Sequence, residues 1–288
     1  MVNYKSIKLS PGLYFVSTPI GSARDITLRA LDILANADVL AAEDTRTLRK
    51  LLEIHEIPMK NRILISYHDH NGSKARPKLL AHLEQGKSIA YTSEAGTPLI
   101  ADPGFSLLTG VISAENNVTS APGPCALIAA LTVGGLPTDR FCFEGFLPNN
   151  KSQRELKFRQ LQSYRGTLIF YESAKRLKDT LVKALEIFGE TRKAVVCREI
   201  TKKFEDIKRG NLKELSSFYS DKNVKGEIVL LIAGAVDSDT DQSKIEQYVK
   251  DALRTMSVKD SAEAVALAFN VPRRDVYQIA LKIKSDGD

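Results

Sequence analysis

The stretch AYTSEAGTPLIADPGFSLL, Ala90–Leu108, runs from an apolar segment into Ser93-Glu94-Ala95-Gly96-Thr97-Pro98. Asp102-Pro103-Gly104 follows, and only then does a helical pattern begin. A strand that passes to a helix through two turns rich in Gly, Pro and acids is one part of a β-α-β unit. The same alternation extends in both directions. Residues 13–17, 38–44, 62–68, 87–93 and 116–122 read as strands. Residues 27–37 place Leu28, Leu31, Ile33 and Leu34 on one helical face. Residues 45–55 read as a helix capped by Thr45, and 73–85 as a helix ended by Gly86. This alternation predicts an α/β lobe over 12–136, a parallel sheet with helices on both faces. In such a sheet the loops after the strands gather at one edge, where ligands bind. Four of them are unusual: Ser17–Gly21, Glu43–Arg46, the opening stretch, and Ala121–Ala126. Turn chemistry explains any one of them; four at one edge point to a site.

Beyond residue 137 strands outnumber helices. Strands over 140–148, 166–173, 192–200, 204–211 and 226–234, with a polar helix over 150–163, predict a second, α+β lobe over 137–235. The acidic run 235–244 reads as a linker. A small helical tail is expected over 245–284, with two short helices over 257–284 around Asn270–Pro272. This pattern is helix-turn-helix-like, and a small helical cap is favoured over a nucleic-acid reader.

With 288 residues, 43% of them hydrophobic, the chain can bury a sizeable core. The first ten residues lack the apolar segment of a signal peptide, and no apolar run approaches the ~20 residues of a membrane span. Cys125, Cys142 and Cys197 are too far apart for a CxxC metal site and do not form a disulfide framework, so a reduced cytoplasm is expected. His68-Asp69-His70 lacks a distant third ligand, and no metal is expected.

The net charge of +6 is unevenly spread: residues 150–214 hold 17 Lys/Arg against 9 Asp/Glu. Either a polyanion partner or simply solvated helix faces would account for this. The candidate phosphate contacts are Lys151, Arg154, Lys157, Arg159, Arg165, Lys175, Arg176 and Lys178. Tyr67, Phe146 and Tyr164 could stack on bases, but each reads first as core.

The loops contain neither GxxxxGK[ST] nor GxGxxG. Pro/Gly-rich loops suit a ligand recognised by main chain, with an amino-acid end and a flat adenine. Asp102 could meet an ammonium or a ribose hydroxyl. S-adenosylmethionine has all these parts and is one option among several.

The ordered series TPIGSARDITLRAL (18–31), AAEDTR (41–46), SEAGTPLIADPG (93–104), APGPCALIAAL (121–131), YESAKR (171–176), REITKKFED (198–206) and KGEIVLLI (225–232) resembles the tetrapyrrole-methylase-like S-adenosylmethionine enzymes, in their rRNA-modifying branch. The match spans Gly12 to Leu281. The chain departs from that pattern at Gly21-Ser22-Ala23, Glu94, Cys125 and Ala174-Lys175. The resemblance implies a two-lobed fold with the cofactor between the lobes, and a homodimer. It also implies 2′-O-methylation of a cytidine in the decoding region of 16S rRNA, with the small ribosomal subunit as partner and no membrane involved. By motif position it assigns S-adenosylmethionine to Pro19, Asp102, Gly104, Phe105, Cys125, Ala126, Tyr171 and Glu172. Phe105 and Tyr171 have rival readings as packing residues. For the chemistry, Glu43 or Asp44 is expected to help take the hydroxyl proton and Arg46 to steady phosphate or developing charge. An equal alternative makes Glu43 and Arg46 a structural ion pair beneath the cofactor. Three further readings are methylation of a tetrapyrrole-like small molecule, a non-enzymatic rRNA-binding assembly factor, and Cys125 as a nucleophile.

Overall fold

The computed structural model describes residues 3–68, 70–235, 239–269 and 271–285; Asp69 and Asn270 lie outside the described residues. The chain forms two compact units, Met1–Gly234 and Ala235–Asp288.

The first unit holds two five-stranded sheets. The first has the order β3 (Ile63–Ser66), β2 (Val39–Ala42), β4 (Ser88–Thr92), β1 (Gly12–Val16), β5 (Val118–Ala121), and every pairing in it is parallel. β2 and β4 are buried along their whole length, as strands covered on both faces must be. One face packs against α1 (Leu28–Asn36) and α2 (Thr45–Ile54) through Leu31, Leu34, Leu48 and Leu52. The other packs against α3 (Gly72–Glu84) and α4 (Phe105–Ser113) through Leu79, Leu83, Leu107 and Val111.

Thr45 does not cap α2. The cap is Asp44, whose carboxylate accepts hydrogen bonds from the amides of Arg46 and Thr47. A carboxylate satisfies the orphan amides of a first turn and also complements the helix dipole. Asp44→Ala is expected to lower stability by removing the cap. The check is a fall in the denaturation midpoint at unchanged slope; an unmoved midpoint refutes it.

The second sheet has the order β6 (Phe141–Phe146), β7 (Thr167–Ser173), β10 (Glu227–Ile232), β8 (Lys193–Arg198), β9 (Asp206–Asn211). Only β6–β7 is parallel. One face carries α6 (Lys151–Leu161), α7 (Leu177–Phe188) and α8 (Leu212–Tyr219) over a core of Phe158, Phe170, Leu181 and Leu215. α7 and α8 add to the one helix expected in this lobe, and Leu177, Leu181, Ala184 and Phe188 of α7 follow the helical period. The opposite face is covered by α5 (Ala126–Gly134), which leaves β5 of the first sheet. α5 buries Leu127, Ala130 and Leu131 against Ile169, Val195, Val229 and Leu231 of the second. One apolar helix thus binds the two sheets into one body.

The second unit has three helices among the described residues: α9 (Asp239–Leu253), α10 (Val258–Phe269) and α11 (Arg273–Ser285). Its core is Ile245, Val249, Ala262, Val265, Ala266, Val276 and Ala280. The expected linker 235–244 is therefore helical from Asp239 onward. Burial of Ile245 and Val249, about one turn apart, supports a helix that the polar stretch before them does not announce.

Candidate functional site

The four unusual loops interlock at the carboxyl edge of the first sheet. Thr18 and Gly96 exchange backbone hydrogen bonds of 2.9 and 3.0 Å. The Ser17 hydroxyl donates to Thr97 Oγ1 at 3.2 Å, and the Thr97 hydroxyl donates to the Pro124 carbonyl at 2.9 Å. Glu43 Oε2 accepts from the Glu94 amide at 3.1 Å. The loop after β1 also reaches the second sheet, where the Ser22 amide donates to Thr201 Oγ1 at 3.1 Å. A Cβ on Gly21 would lie 2.5 Å from that oxygen, so only glycine permits the approach.

Between the sheets lies a cleft of ≈ 310 Å³, within the range of small-molecule sites. The first sheet lines it with Ile20, Gly96, Ile100, Asp102, Cys125 and Ala126, among others; the second lines it with Phe146, Tyr171, Cys197, Ile200 and Gly226–Val229. Two isoleucines enter it in the same manner. Ile100 lies between Leu99 (φ 74°) and Ala101 (φ 62°), Ile200 between Glu199 (φ 52°) and Thr201 (φ 66°). Side chains rarely adopt such a left-handed backbone, and it concentrates where a ligand is held. Glu199 secures its turn by accepting the Glu227 amide at 2.9 Å and the Lys202 ammonium at 3.0 Å.

The expected cofactor residues divide. Asp102, Cys125, Ala126, Tyr171 and Glu172 come together on the cleft. Pro19 lines a second cleft of ≈ 150 Å³ with Gly21, Thr47, Lys50, Glu94 and Thr18, whose hydroxyl is buried and has no hydrogen-bond partner. Gly104 and Phe105 line neither. Gly104 precedes α4 and packs on Leu99, Tyr91 and Phe15. Phe105 is 71% exposed, so it is not the packing residue its rival reading made it. Glu172 borders the cleft, but its carboxylate is engaged elsewhere. Its carboxylate lies on the helix side of β7, 2.6 Å from Arg176 Nη2, and accepts the Thr180 hydroxyl at 2.7 Å. The Tyr171 hydroxyl accepts the Leu127 amide at 3.2 Å, and burial pushes its pKa upward.

The carboxylates differ in kind. Asp44 pairs with Arg46 at 2.7 Å, and these hydrogen bonds hold its pKa at about 2. The structural ion pair at this edge is therefore Asp44–Arg46, and the partner of Glu43 is the Glu94 amide. Burial raises Asp102 to about 6, with the charges of Glu43 and Glu94 pushing the same way.

Several expected phosphate contacts have structural duties. Arg154 lies on the buried side of α6. Lys157 pairs with Glu144, and Arg176 with Glu172. Lys151, Lys175 and Lys178 remain exposed. Tyr67 is buried, as expected, but Phe146 is 59% exposed. The sequence gives no role to Ile20, Ile100, Ile200 or Gly226–Val229, and it offers Phe146 only as a stacking residue that reads first as core. A signal existed for Ile20, Ile100, Ile200 and Gly226–Val229, since TPIGSARDITLRAL, SEAGTPLIADPG, REITKKFED and KGEIVLLI are among the motifs that carry the resemblance.

Residues 12–216 match the family described as Tetrapyrrole (Corrin/Porphyrin) Methylases. Among solved structures, the methyltransferase CobJ superposes with a TM-score of 0.60 at 17% identity, covering 78% of this chain and 95% of that one. Uroporphyrin-III C-methyl transferase from Thermus thermophilus complexed with S-adenyl homocysteine superposes with a TM-score of 0.54 at 17% identity, covering 77% and 97%. The two sheets and the cleft between them are thus those of a tetrapyrrole-methylase fold. Residues 239–284 match the RsmI C-terminal HTH domain. A protein named ribosomal RNA small subunit methyltransferase I from Mesorhizobium japonicum is 41% identical over 97% of this chain and 96% of its own. Its namesakes from Rickettsia prowazekii and Escherichia coli O157:H7 are 40% and 41% identical, over 96% and 98% of this chain and 98% and 99% of theirs. The chain belongs to the ribosomal RNA small subunit methyltransferase I family.

Proposed function

We propose that the protein methylates the ribose 2′-hydroxyl of a cytidine in the decoding region of 16S rRNA, with S-adenosylmethionine as donor. The observation that carries this reading is the near-full-length identity, across both units, with relatives of that name. The cleft fits the donor. Ile20, Ile100, Ile200 and Val229 offer apolar faces to an adenine ring. Gly96, Ala101, Ala126 and Gly226 have little or no side chain, so main-chain edges form much of the wall. Asp102 brings a carboxylate to the cleft wall. When bound, S-adenosylmethionine supplies a sulfonium methyl group for in-line displacement by an oxygen nucleophile.

The chain's own residues position the nucleophile and take its proton, which departs as the oxygen–carbon bond forms. Asp44 is committed to the α2 cap and Arg46, and Glu43 to the Glu94 amide. The proton therefore goes to Asp102, whose raised pKa makes it the better base. Arg46, with its side chain 89% exposed and anchored by Asp44, is free to meet a phosphate.

The test offers radiolabelled S-adenosylmethionine with unmethylated small ribosomal subunits, and with naked 16S rRNA in parallel. Label on a ribose of the decoding region is expected. No label in either RNA, with cofactor binding intact, overturns the reading.

A further inference from the structure

β6 and β7 pair in parallel, Phe143 opposite Ile169 and Phe146 opposite Tyr171, so three steps on one strand match two on the other. Side chains alternate along a regular strand. Unbroken alternation would put Phe146 on the side of Cys142, which packs into the helix-covered core. The bulge reverses that. Gly145 takes φ 65°, with no heavy atom within 4 Å of where a Cβ would stand. Phe146 then emerges on the face of Phe143 and Tyr171. Bulges of this kind re-aim side chains beside functional sites.

The ring so placed lines the cleft and remains 59% exposed. Its centroid lies 5.5 Å from that of Tyr171 in an edge contact, and Phe143 meets Tyr171 at 4.8 Å. The following segment is pinned. Leu147 is buried, and Arg176 donates to the Leu147 carbonyl at 2.9 Å and to Asn149 Oδ1 at 2.6 Å. The result is a rigid aromatic surface at the mouth of the site. Exposed Lys151 follows five residues later, and exposed Lys175 follows β7, the partner strand.

We propose that Phe146 is the platform on which the base of the target nucleotide stacks; this rests on the rRNA-methylation reading above. RNA presented to a recessed site is read as splayed bases stacked on aromatic rings, and a base must leave its stack to bring its ribose into a cleft. The neighbouring lysines favour the substrate over the cofactor as the occupant. They match a phosphate backbone, and S-adenosylmethionine carries no phosphate.

The test uses the full chain with Phe146→Ala and Phe146→Trp. S-adenosylhomocysteine affinity is measured by calorimetry without RNA, and kcat/KM is measured on unmethylated small subunits, with wild type in parallel. Phe146→Ala is expected to lower kcat/KM by about 10–100-fold, the scale of one lost base–aromatic stack. Its S-adenosylhomocysteine affinity should stay within about twofold of wild type, which also shows that it is folded, and Phe146→Trp should keep most of the activity. Wild-type kcat/KM in Phe146→Ala overturns the proposal. A parallel fall in S-adenosylhomocysteine affinity also overturns it, since the ring then serves the cofactor. A wild-type protein that methylates neither RNA fails at the preceding reading and takes this one with it.

Discussion

Asp102→Asn should cost about 10²–10⁴-fold in kcat/KM for methyl transfer, the usual contribution of a positioned proton acceptor. The amide keeps the size of the side chain and its capacity to hydrogen bond but cannot take a proton. Wild-type kcat/KM should rise with pH through about 6, because the carboxylate must be ionised to act and burial has moved its pKa there. The variant should lack that limb. Stability should move in the opposite direction. A carboxyl whose folded pKa lies above its unfolded value of 3.8 favours the fold below pH 3.8. That advantage is lost as pH rises through about 6. At pH 8 the ionised, partly buried group therefore opposes folding, and Asp102→Asn should be the more stable protein by on the order of 1–2 kcal/mol, after allowance for solvent screening. The gain should vanish near pH 3.5. A variant with full activity and an unaltered pH profile would remove Asp102 from proton transfer.

Glu172→Ala should have the largest effect on stability. The Glu172 side chain has no exposed surface, and its carboxylate meets Arg176, the Thr180 hydroxyl and the Ser173 amide at 2.6–2.7 Å. Removing one partner of a buried pair leaves the other charge uncompensated, at a cost of about 3–5 kcal/mol. At roughly 2–4 °C per kcal/mol for a unit of this size, Tm should fall by on the order of 10 °C. Glu172→Gln, which keeps the volume and part of the hydrogen bonding, should fall less. Arg176 also holds Leu147 and Asn149, so the segment after Phe146 should loosen as well. Thermal unfolding checks this, and an unchanged Tm would mean that the pair contributes nothing net to the fold.

The contrast between these two acids shows what a motif can carry. Both were assigned to the cofactor by motif position, and both border the cleft. Strand alternation turns the Glu172 carboxylate to the helix side of β7, whereas Tyr171 beside it faces the cleft side. A motif states that the residue is needed. Only the packing shows whether it serves the ligand or the wall behind the ligand. Asp44 is a similar case: a candidate base by its place in a loop at the sheet edge, and a helix cap by geometry.

From the sequence alone the parallel sheet, its order of strand and helix, and the gathering of four loops at one edge could be read. These depend on local quantities: apolar period, turn residues, and the rule that parallel strands end together. The second lobe was legible as strand-rich for the same reason. What required the tertiary structure was everything set by partners distant in sequence. α5 leaves the first sheet yet buries its apolar face on the second. Glu43 accepts the amide of Glu94, 51 residues on. Asp102 acquires its basicity from burial and from the like charges of Glu43 and Glu94. The side on which Phe146 emerges depends on one unpaired residue in β6, visible only once β7 lies beside it. Alternation predicts a face up to the first bulge, and a bulge is a property of two strands together, which one strand's residues do not encode by themselves.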